Sequence, residues 1–317
     1  MNLMEQMMTQ TYSLKDRDVL TWLDFTQSDV SKLLALAQDV KENPYSNILS
    51  GKTLGMIFEK SSTRTRVSFE VGMVQLGGHA TYLNTRDIQV GRGETIADTA
   101  KVLSGYVDAI MYRTSSHEKL QDLAENASIP VINGLCDKYH PCQALADIFT
   151  ILELKGRLSG VKVVYIGDGN NVSHSLMIIC AMMGMDITIV TPEGYEPDET
   201  IFNKSQAIAA EHQGAVKWSH DPETSVKEAD VIYTDVWASM GQEEEAGERL
   251  TAFKAYQVNE SLLSKAKEDV SFLHCLPAHR EEEVTAEVID GPHSAVFQQA
   301  ENRLHVQKAI LLSVIHG

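Results

Sequence analysis

The chain alternates short apolar runs with longer stretches in which apolar residues recur at helical spacing. The first run, Thr53–Phe58, precedes apolar positions that recur every three or four residues from Val67 to Leu76 and stop at Gly77. Further apolar, β-branched runs occupy residues 109–112, 130–132, 161–166, 187–190, 231–234 and 270–273. This alternation predicts an α/β protein with mainly parallel sheets, each flanked by helices on both faces.

The length of the chain predicts two lobes, because 317 residues exceed the usual size of one hydrophobic core. A helical pattern over Pro141–Glu153 ends at the glycine-containing segment 154–160, just before the next apolar run. We place the boundary there, which gives a first lobe of residues 1–153 and a second lobe of residues 154–299.

The last segment, from about residue 300 to residue 317, has the pattern of an amphipathic helix. Leu304, Leu311 and Val314 lie on or near one helical face, and Gln307 and Lys308 lie off it. Its periodicity leaves open which lobe the helix covers, although a return to the first lobe would tie the two lobes together.

Composition and charge exclude several classes of function. The net charge of −17 opposes nonspecific binding to nucleic acid, so any basic cluster is expected to bind a local anion. No apolar run approaches the ~20 residues that cross a bilayer, so no membrane partner is expected. The four cysteines form no CxxC pair and the N-terminus lacks a leader pattern, which indicates a reducing cytoplasm.

The loop Ser62-Thr63-Arg64-Thr65 has the chemistry of an anion cradle. It follows the first apolar run and opens a predicted helix, where free N–H groups and the positive end of the helix dipole attract phosphate. Ordinary capping by serine and threonine is the structural alternative. Because the glycines and the Gly-Lys-Ser/Thr ending of a nucleotide P-loop are missing, the expected ligand is a small phosphorylated molecule.

The second lobe opens with Gly167-Asp168-Gly169, which invites a dinucleotide interpretation. Val172 stands in place of the third glycine, and no acidic residue closes the strand at 187–190, so this pattern is weak. A nucleotide-binding regulatory protein is therefore the alternative from a different class. Asn170 and Asn171 are expected instead at the carboxyl end of a strand, where open α/β sheets bind ligands.

Other polar residues follow predicted strands in the same way. They are Arg113, the segment His140-Pro141-Cys142-Gln143, Asp235, and the segment His274-Cys275-Leu276-Pro277. Each has an ordinary explanation as a helix cap, a turn former or a small buried residue. Their common position at strand carboxyl ends favours a shared functional role.

Together, these motifs resemble the aspartate/ornithine carbamoyltransferase family, and within it the members that use ornithine. The Ser62–Arg66 loop, the His140–Gln143 segment, residues 235–241 and the His274–Pro277 segment occur in the family's order and spacing. The resemblance runs from about residue 15 to the end. One departure is Glu281, where the family pattern leads us to expect a glycine.

The resemblance implies a carbamoyl transfer from carbamoyl phosphate to the δ-amine of L-ornithine, by direct attack and without a cofactor or metal. Carbamoyl phosphate would be held by Ser62, Thr63, Arg64, Thr65, Gln89, Arg113, His140, Pro141, Cys142, Gln143, Cys275, Leu276 and Arg303. Gln89 would reach the site of a neighbouring subunit, so a homotrimer or a multiple of trimers is expected. Arg303 would bring the last helix back to the first lobe.

For ornithine, the resemblance implies binding by Asn171, Asp235, Ser239 and Met240. Arg113, His140 and Cys275 would be the catalytic residues, with the proton acceptor left open between Cys275, solvent and the substrate phosphate. Another amine such as putrescine is the nearest alternative acceptor.

Three further alternatives follow from the residues. His274, Cys275 and His279 could form a thiol nucleophile with its base, or a metal site, but each lacks a further partner at recognisable spacing. A non-catalytic paralogue that only assembles with partners is the third.

Overall fold

The computed structural model describes residues 14–91, 93–238 and 245–316. Its strands are β1 Thr53–Phe58, β2 His79–Asn84, β3 Ala109–Arg113, β4 Val131–Leu135, β5 Lys162–Ile166, β6 Asp186–Val190, β7 Ala215–Ser219, β8 Val231–Thr234 and β9 Ser271–His274. Its α-helices are α1 Gln27–Glu42, α2 Thr63–Gln75, α3 Ile96–Ser104, α4 His117–Asn126, α5 Pro141–Lys155, α6 Asn171–Met182, α7 Glu199–Glu211, α8 Pro222–Ser225, α9 Ala246–Phe253, α10 Glu260–Leu263, α11 Ala286–Ile289 and α12 Val296–Leu311. Among the described residues, no helix is both long and apolar enough to cross a membrane.

The strands form two separate parallel sheets. The first sheet has the order β2-β1-β3-β4, and the second has the order β7-β6-β5-β8-β9. In both sheets the first strand of the unit is internal, and later strands are added on either side of it. Ligands in such open sheets bind at the carboxyl ends of the strands. The predicted α/β class with two parallel sheets is confirmed.

The pattern of apolar runs missed β2 and β7. Both are edge strands, and their burial alternates or is partial, with Trp218 on β7 substantially exposed. An edge strand is covered on fewer sides than an internal strand, so it does not need a continuous apolar run. Continuous apolar runs therefore mark only the internal strands and the buried edge strands β4 and β9.

The chain divides into two compact units. The first runs to Ala146 and is completed by the residues from Glu301 onward, and the second comprises Asp147–Ala300. The C-terminal helix α12 therefore contributes its larger part to the first unit.

The predicted face of the C-terminal helix was wrong. Gln307 and Lys308 were expected off the apolar face, yet both are fully buried, and the helix starts at Val296 rather than near residue 300. Lys308 Nζ donates to the carbonyl oxygens of Val40 (3.3 Å) and Pro44 (2.6 Å) and to Gln75 Oε1 (3.0 Å). These three acceptors allow an ammonium group to lie inside the first unit.

We expect Lys308 to make stability depend on pH. Burial lowers the pKa of Lys308 from 10.5 to about 8, so between these values the unfolded chain holds a proton that the folded chain has lost. Stability therefore rises with pH across this window. Relative to a Lys308→Met variant, the wild type should gain up to about 3 kcal/mol between pH 8 and 10.5 in urea unfolding. A pH-independent difference between the two proteins would contradict this assignment.

Candidate active site

The Ser62–Thr65 loop lies at the N-terminus of α2, as the sequence predicts. Ser62 is the N-cap residue, and its hydroxyl accepts a hydrogen bond from the Thr65 N–H (3.3 Å). The buried Thr65 hydroxyl also lies 3.2 Å from Ser62 Oγ and accepts from Arg113 Nη1 at 3.5 Å. Because β1 and β3 are adjacent, the end of β3 brings Arg113 to the start of α2.

A cluster of cationic side chains surrounds this helix start. Burial, followed by the charges of Arg303 and Arg64, lowers the pKa of Arg113 to about 10. Burial and the charges of Arg303, Arg113 and Arg64 hold the pKa of His140 well below its usual value, so the imidazole is neutral at pH 7. The three positively charged guanidinium groups repel one another, and a small dianion bound among them would relieve this repulsion.

The start of α5 carries further residues that the sequence predicts to bind carbamoyl phosphate. The Pro141 carbonyl accepts from Trp22 Nε1 (2.9 Å), and Gln143 Oε1 accepts from Arg303 Nη1 (2.6 Å). Cys142 is fully buried, its Sγ lies 3.5 Å from the Asn133 carbonyl oxygen, and burial raises its pKa to about 11. The Cys142 thiol is therefore protonated at neutral pH.

Gln89 has a different setting. It begins the 3₁₀ turn Gln89–Gly91 after β2, and its side chain is exposed. It therefore presents its amide to the surface of the first unit.

In the second unit, Asp235 organises a polar cluster at the ends of β5, β8 and β9. Its carboxylate accepts from Asn170 Nδ2 (3.0 Å), from the Cys275 thiol (2.9 Å) and from the Val236 N–H (2.8 Å). Asp235 is buried and Cys275 half-buried. The carboxylate fixes the direction of the thiol, which the sequence alone did not predict.

Asn171 is the first residue of α6 and is half-buried. The preceding Asn170 is the N-cap, and its side chain accepts from the N–H groups of Val172 (3.0 Å) and Ser173 (3.2 Å). The sequence pointed to both asparagines; the structure assigns the cap to Asn170 and leaves Asn171 at the helix start.

The turn that carries Cys275 and Leu276 is held by a fully buried histidine. The Leu276 N–H donates to His274 Nδ1 (2.8 Å), so the proton is on Nε2, which donates to Glu283 Oε1 (3.1 Å). Leu276 has a positive φ of 56°, a conformation that L-residues rarely adopt, and these bonds hold it there. Glu283 was missed by the sequence analysis because nothing in its local pattern marks it.

The geometry weakens two of the alternatives drawn from the residues. Donor or acceptor atoms of Asp235, His274 and Cys275 lie within 4.8 Å of one another. However, both His274 nitrogens are engaged by Leu276 and Glu283 and neither is available to a metal ion or as a base for the thiol. The exposed His279 instead lies 3.5 Å from Glu282.

The Gly167-Asp168-Gly169 turn is closed to a pyrophosphate. The Gly169 N–H donates to the Tyr195 carbonyl (2.9 Å), and a Cβ on Gly169 would lie 2.3 Å from the Pro197 backbone nitrogen. Asp168 is paired with the buried Arg249 at 2.8 Å. The backbone around residues 195–197 thus takes the place that a dinucleotide needs, which argues against a nucleotide-binding regulatory protein.

Two predicted ornithine ligands, Ser239 and Met240, lie outside the described residues. The residues on either side of that segment are held by Arg249, which donates to the Trp237 carbonyl (3.0 Å) and to Glu245 Oε2 (3.1 Å). Arg249 was not among the predicted site residues.

Glu281 stands where the family pattern leads us to expect a glycine, and the structure gives a reason. It has a φ of 70°, where glycine is favoured, and its Oε1 accepts from the Ala286 N–H (3.0 Å). The side chain therefore caps the start of α11 in compensation for the backbone strain.

The described structure is a two-unit α/β protein with a cationic cluster at a helix N-terminus in one unit and an acidic, thiol-containing cluster in the other. The family model described as "Aspartate/ornithine carbamoyltransferase, carbamoyl-P binding domain" matches residues 17–153, and the "Asp/Orn binding domain" model matches residues 159–314. The chain belongs to the aspartate/ornithine carbamoyltransferase family, so the resemblance drawn from the sequence is confirmed.

Individual relatives agree with this assignment. An ornithine carbamoyltransferase of Bacillus subtilis is 63% identical, covering 97% of this chain and 96% of that protein. The solved ornithine carbamoyltransferase of Pyrococcus furiosus superposes with a TM-score of 0.94 at 58% identity, over 96% of this chain and 99% of that one. The enzyme from Gloeobacter violaceus has a TM-score of 0.87 at 44% identity, over 95% and 99%.

Proposed function

We propose that this protein is an ornithine carbamoyltransferase, which transfers the carbamoyl group of carbamoyl phosphate to the δ-amine of L-ornithine and releases L-citrulline and phosphate. The observation that carries the proposal is the buried Asp235 carboxylate with the Cys275 thiol directed at it at 2.9 Å. Relatives of 57–63% identity bearing that name support it.

The first unit binds carbamoyl phosphate. Its phosphate lies at the start of α2, against the hydroxyls and N–H groups of Ser62, Thr63 and Thr65 and the guanidinium of Arg64. The remaining proposed contacts are Gln89, Arg113, His140, Pro141, Cys142, Gln143, Cys275, Leu276 and Arg303. Arg113 and neutral His140 donate hydrogen bonds to the carbamoyl oxygen.

The second unit binds ornithine. Asp235 pairs with the α-ammonium group, and Asn171, Ser239 and Met240 bind the amino-acid end. Cys275 lies beside the δ-nitrogen and orients it. In its thiolate form, after the thiol proton has left to solvent, Cys275 takes up the δ-proton. Residues 147–300 thus serve the acceptor, as the description "Asp/Orn binding domain" of the matching family model supports.

The transfer is a direct displacement. The uncharged δ-nitrogen attacks the carbamoyl carbon, and the oxyanion that forms is stabilised by Arg113 and His140. The C–O bond to phosphate then breaks, and the attacking nitrogen gives up a proton to the departing phosphate. The leaving group is already activated, so neither a covalent enzyme intermediate nor a metal or cofactor is assigned a step.

Three copies of the chain form the working assembly, in which Gln89 serves a neighbouring site. Its exposure supports this, as do Val67, Val71 and Val74, which form an exposed apolar stripe along α2. Such a stripe is typical of an interface between protein chains. A cytoplasmic location is supported by the four cysteines, which form no disulfide bond and of which three are buried.

Activity is expected to rise with pH through the neutral range. An alkyl ammonium has a pKa of about 10.4, so on the order of one ornithine δ-amine in a few thousand is neutral at pH 7. His140 does not oppose this trend, because its pKa is already well below 6.5. Turnover at saturating substrates should therefore increase from pH 6 to pH 9. A flat profile would contradict a rate that depends on the free amine.

The proposal is tested by following citrulline and phosphate together with purified protein, carbamoyl phosphate and ornithine. Equal amounts of both products are expected, with no carbamoyl thioester trapped by rapid quenching. Thermal unfolding gives an independent check: carbamoyl phosphate should raise the melting temperature, and NAD should leave it unchanged. Stabilisation by NAD alone, without citrulline formation, would favour a nucleotide-binding regulator instead.

A further inference from the structure

Glu59 gathers hydrogen-bond donors at the point where β1 ends. Its Oε1 accepts from Tyr112 Oη (2.8 Å) and Lys119 Nζ (3.0 Å), and its Oε2 accepts from Thr114 Oγ1 (2.8 Å) and the Ser115 N–H (3.0 Å). Burial acts to raise the pKa of this carboxyl, but the hydrogen bonds that it accepts lower it to about 2. The carboxylate is therefore ionised at every pH at which the enzyme works.

This network surrounds one catalytic residue and leads into another part of the site. Tyr112 and Thr114 stand on either side of Arg113, and the Glu59 N–H donates to the Arg113 carbonyl (2.9 Å). Three residues beyond Glu59, Ser62 caps the helix that forms the phosphate cradle. One side chain thus joins the segment that carries Arg113 to the segment that carries the cradle.

A second carboxylate holds the same two strands at their opposite ends. Asp108 precedes β3, and it accepts from Lys52 Nζ and the Thr53 N–H, both at 2.8 Å, at the start of β1. Both carboxylates pair with a lysine and a backbone N–H. They differ in position, since Glu59 lies at the carboxyl ends beside the cradle and Asp108 lies at the amino ends.

We propose that Glu59 is a positioning residue for carbamoyl phosphate, which sets the Arg113 guanidinium at the correct distance from the Ser62–Thr65 cradle. It contacts no substrate in this role. The inference rests on the proposed function, because it assigns a supporting residue to the carbamoyl phosphate half of that site.

The test compares Glu59→Gln with Asp108→Asn. Glu59→Gln keeps the shape of the side chain, but its NH₂ group takes the place of one carboxylate oxygen. The hydrogen bonds to that oxygen are then replaced by repulsive contacts between donors. We expect the KM for carbamoyl phosphate to rise about 10- to 100-fold and kcat to fall about 10-fold, since misplacement by ~1 Å can cost ~10²-fold. The KM for ornithine should stay within twofold. Asp108→Asn should lower the melting temperature while leaving both KM values within twofold.

Single-donor variants extend the test if Glu59→Gln fails to fold. Tyr112→Phe and Thr114→Val each remove one donor, and each should raise the KM for carbamoyl phosphate about threefold to tenfold. The inference is overturned if the variants at Glu59, Tyr112 and Thr114 lose thermal stability like Asp108→Asn but keep the wild-type KM. The wild-type protein in the same assay distinguishes failure of the Glu59 proposal from failure of the proposed function. If the wild type itself has no activity, the proposed function is wrong.

Discussion

Replacing Arg113 with alanine is expected to lower kcat by ~10²- to 10³-fold, the usual effect of removing a donor to a developing oxyanion. Arg113 is buried at the end of β3 and donates to Thr65, so its guanidinium is pre-positioned beside the cradle. Because the donor strengthens its bond as negative charge develops, the loss falls mainly on turnover. The KM for ornithine should stay within about threefold, as measured by steady-state kinetics with each substrate varied in turn.

Arg66 offers a matched control on the neighbouring helix. It is exposed, pairs with Glu70 at 3.0 Å and lies over the Tyr82 ring at 3.9 Å, so Arg66→Ala removes a guanidinium that the mechanism does not use. Its kcat should remain within twofold of the wild-type value. An Arg113→Ala enzyme with wild-type turnover would remove Arg113 from catalysis.

The second large effect is expected at Asp235. Asp235→Asn keeps the shape of the side chain but loses the charge that we propose pairs with the α-ammonium group of ornithine. Removing one partner of a buried charge pair costs about 2–5 kcal/mol, which corresponds to a rise in the ornithine KM of roughly 30-fold to several thousand-fold. The Cys275 thiol also loses its carboxylate acceptor, so kcat should fall as well. The KM for carbamoyl phosphate should change little.

Asp230 is the control for this substitution, because it flanks the other end of β8. It is buried like Asp235, and it accepts from the Lys162 N–H (2.8 Å) and Lys267 Nζ (2.7 Å) at the amino ends of the strands. Asp230→Asn should lower stability and leave the ornithine KM within twofold. If both variants bind ornithine equally well, Asp235 is not the partner of the α-ammonium group.

Much of the fold follows from local signals in the sequence. A strand buried on both faces requires a continuous apolar run, so β1, β3, β5 and β8 could be located from the positions of apolar residues along the chain. Edge strands carry no such requirement, which is why β2 and β7 were missed. Lys308 was placed on the wrong face because its burial depends on carbonyl groups more than 230 residues away in the chain.

Some residues of the candidate site also carry a local signal in the sequence, and others do not. Residues at the end of a strand or directly after it, such as Arg113 and Asp235, could be found because a parallel sheet brings strand ends together. Arg249 could not, since its partner Asp168 lies 81 residues away in the chain, and the bond from Asn170 to Asp235 likewise spans 65 residues. Glu283 lies only nine residues from His274, but nothing in its local pattern marks it. Glu59 did carry a signal: it is an acidic residue immediately after a buried strand and just before the cradle.

The acceptor specificity of the purified enzyme tests the proposed carbamoyl transfer to ornithine most directly. With carbamoyl phosphate saturating, the rate of carbamoyl transfer would be measured for L-ornithine, putrescine and N-acetylornithine. We expect product formation with L-ornithine alone, because N-acetylornithine lacks the free α-ammonium group proposed to pair with Asp235, and putrescine lacks the α-carboxylate of the amino-acid end. Transfer to putrescine with none to ornithine would contradict the roles assigned to Asn171, Ser239 and Met240, and transfer to N-acetylornithine would contradict the role of Asp235. No transfer to any amine would contradict the proposed function.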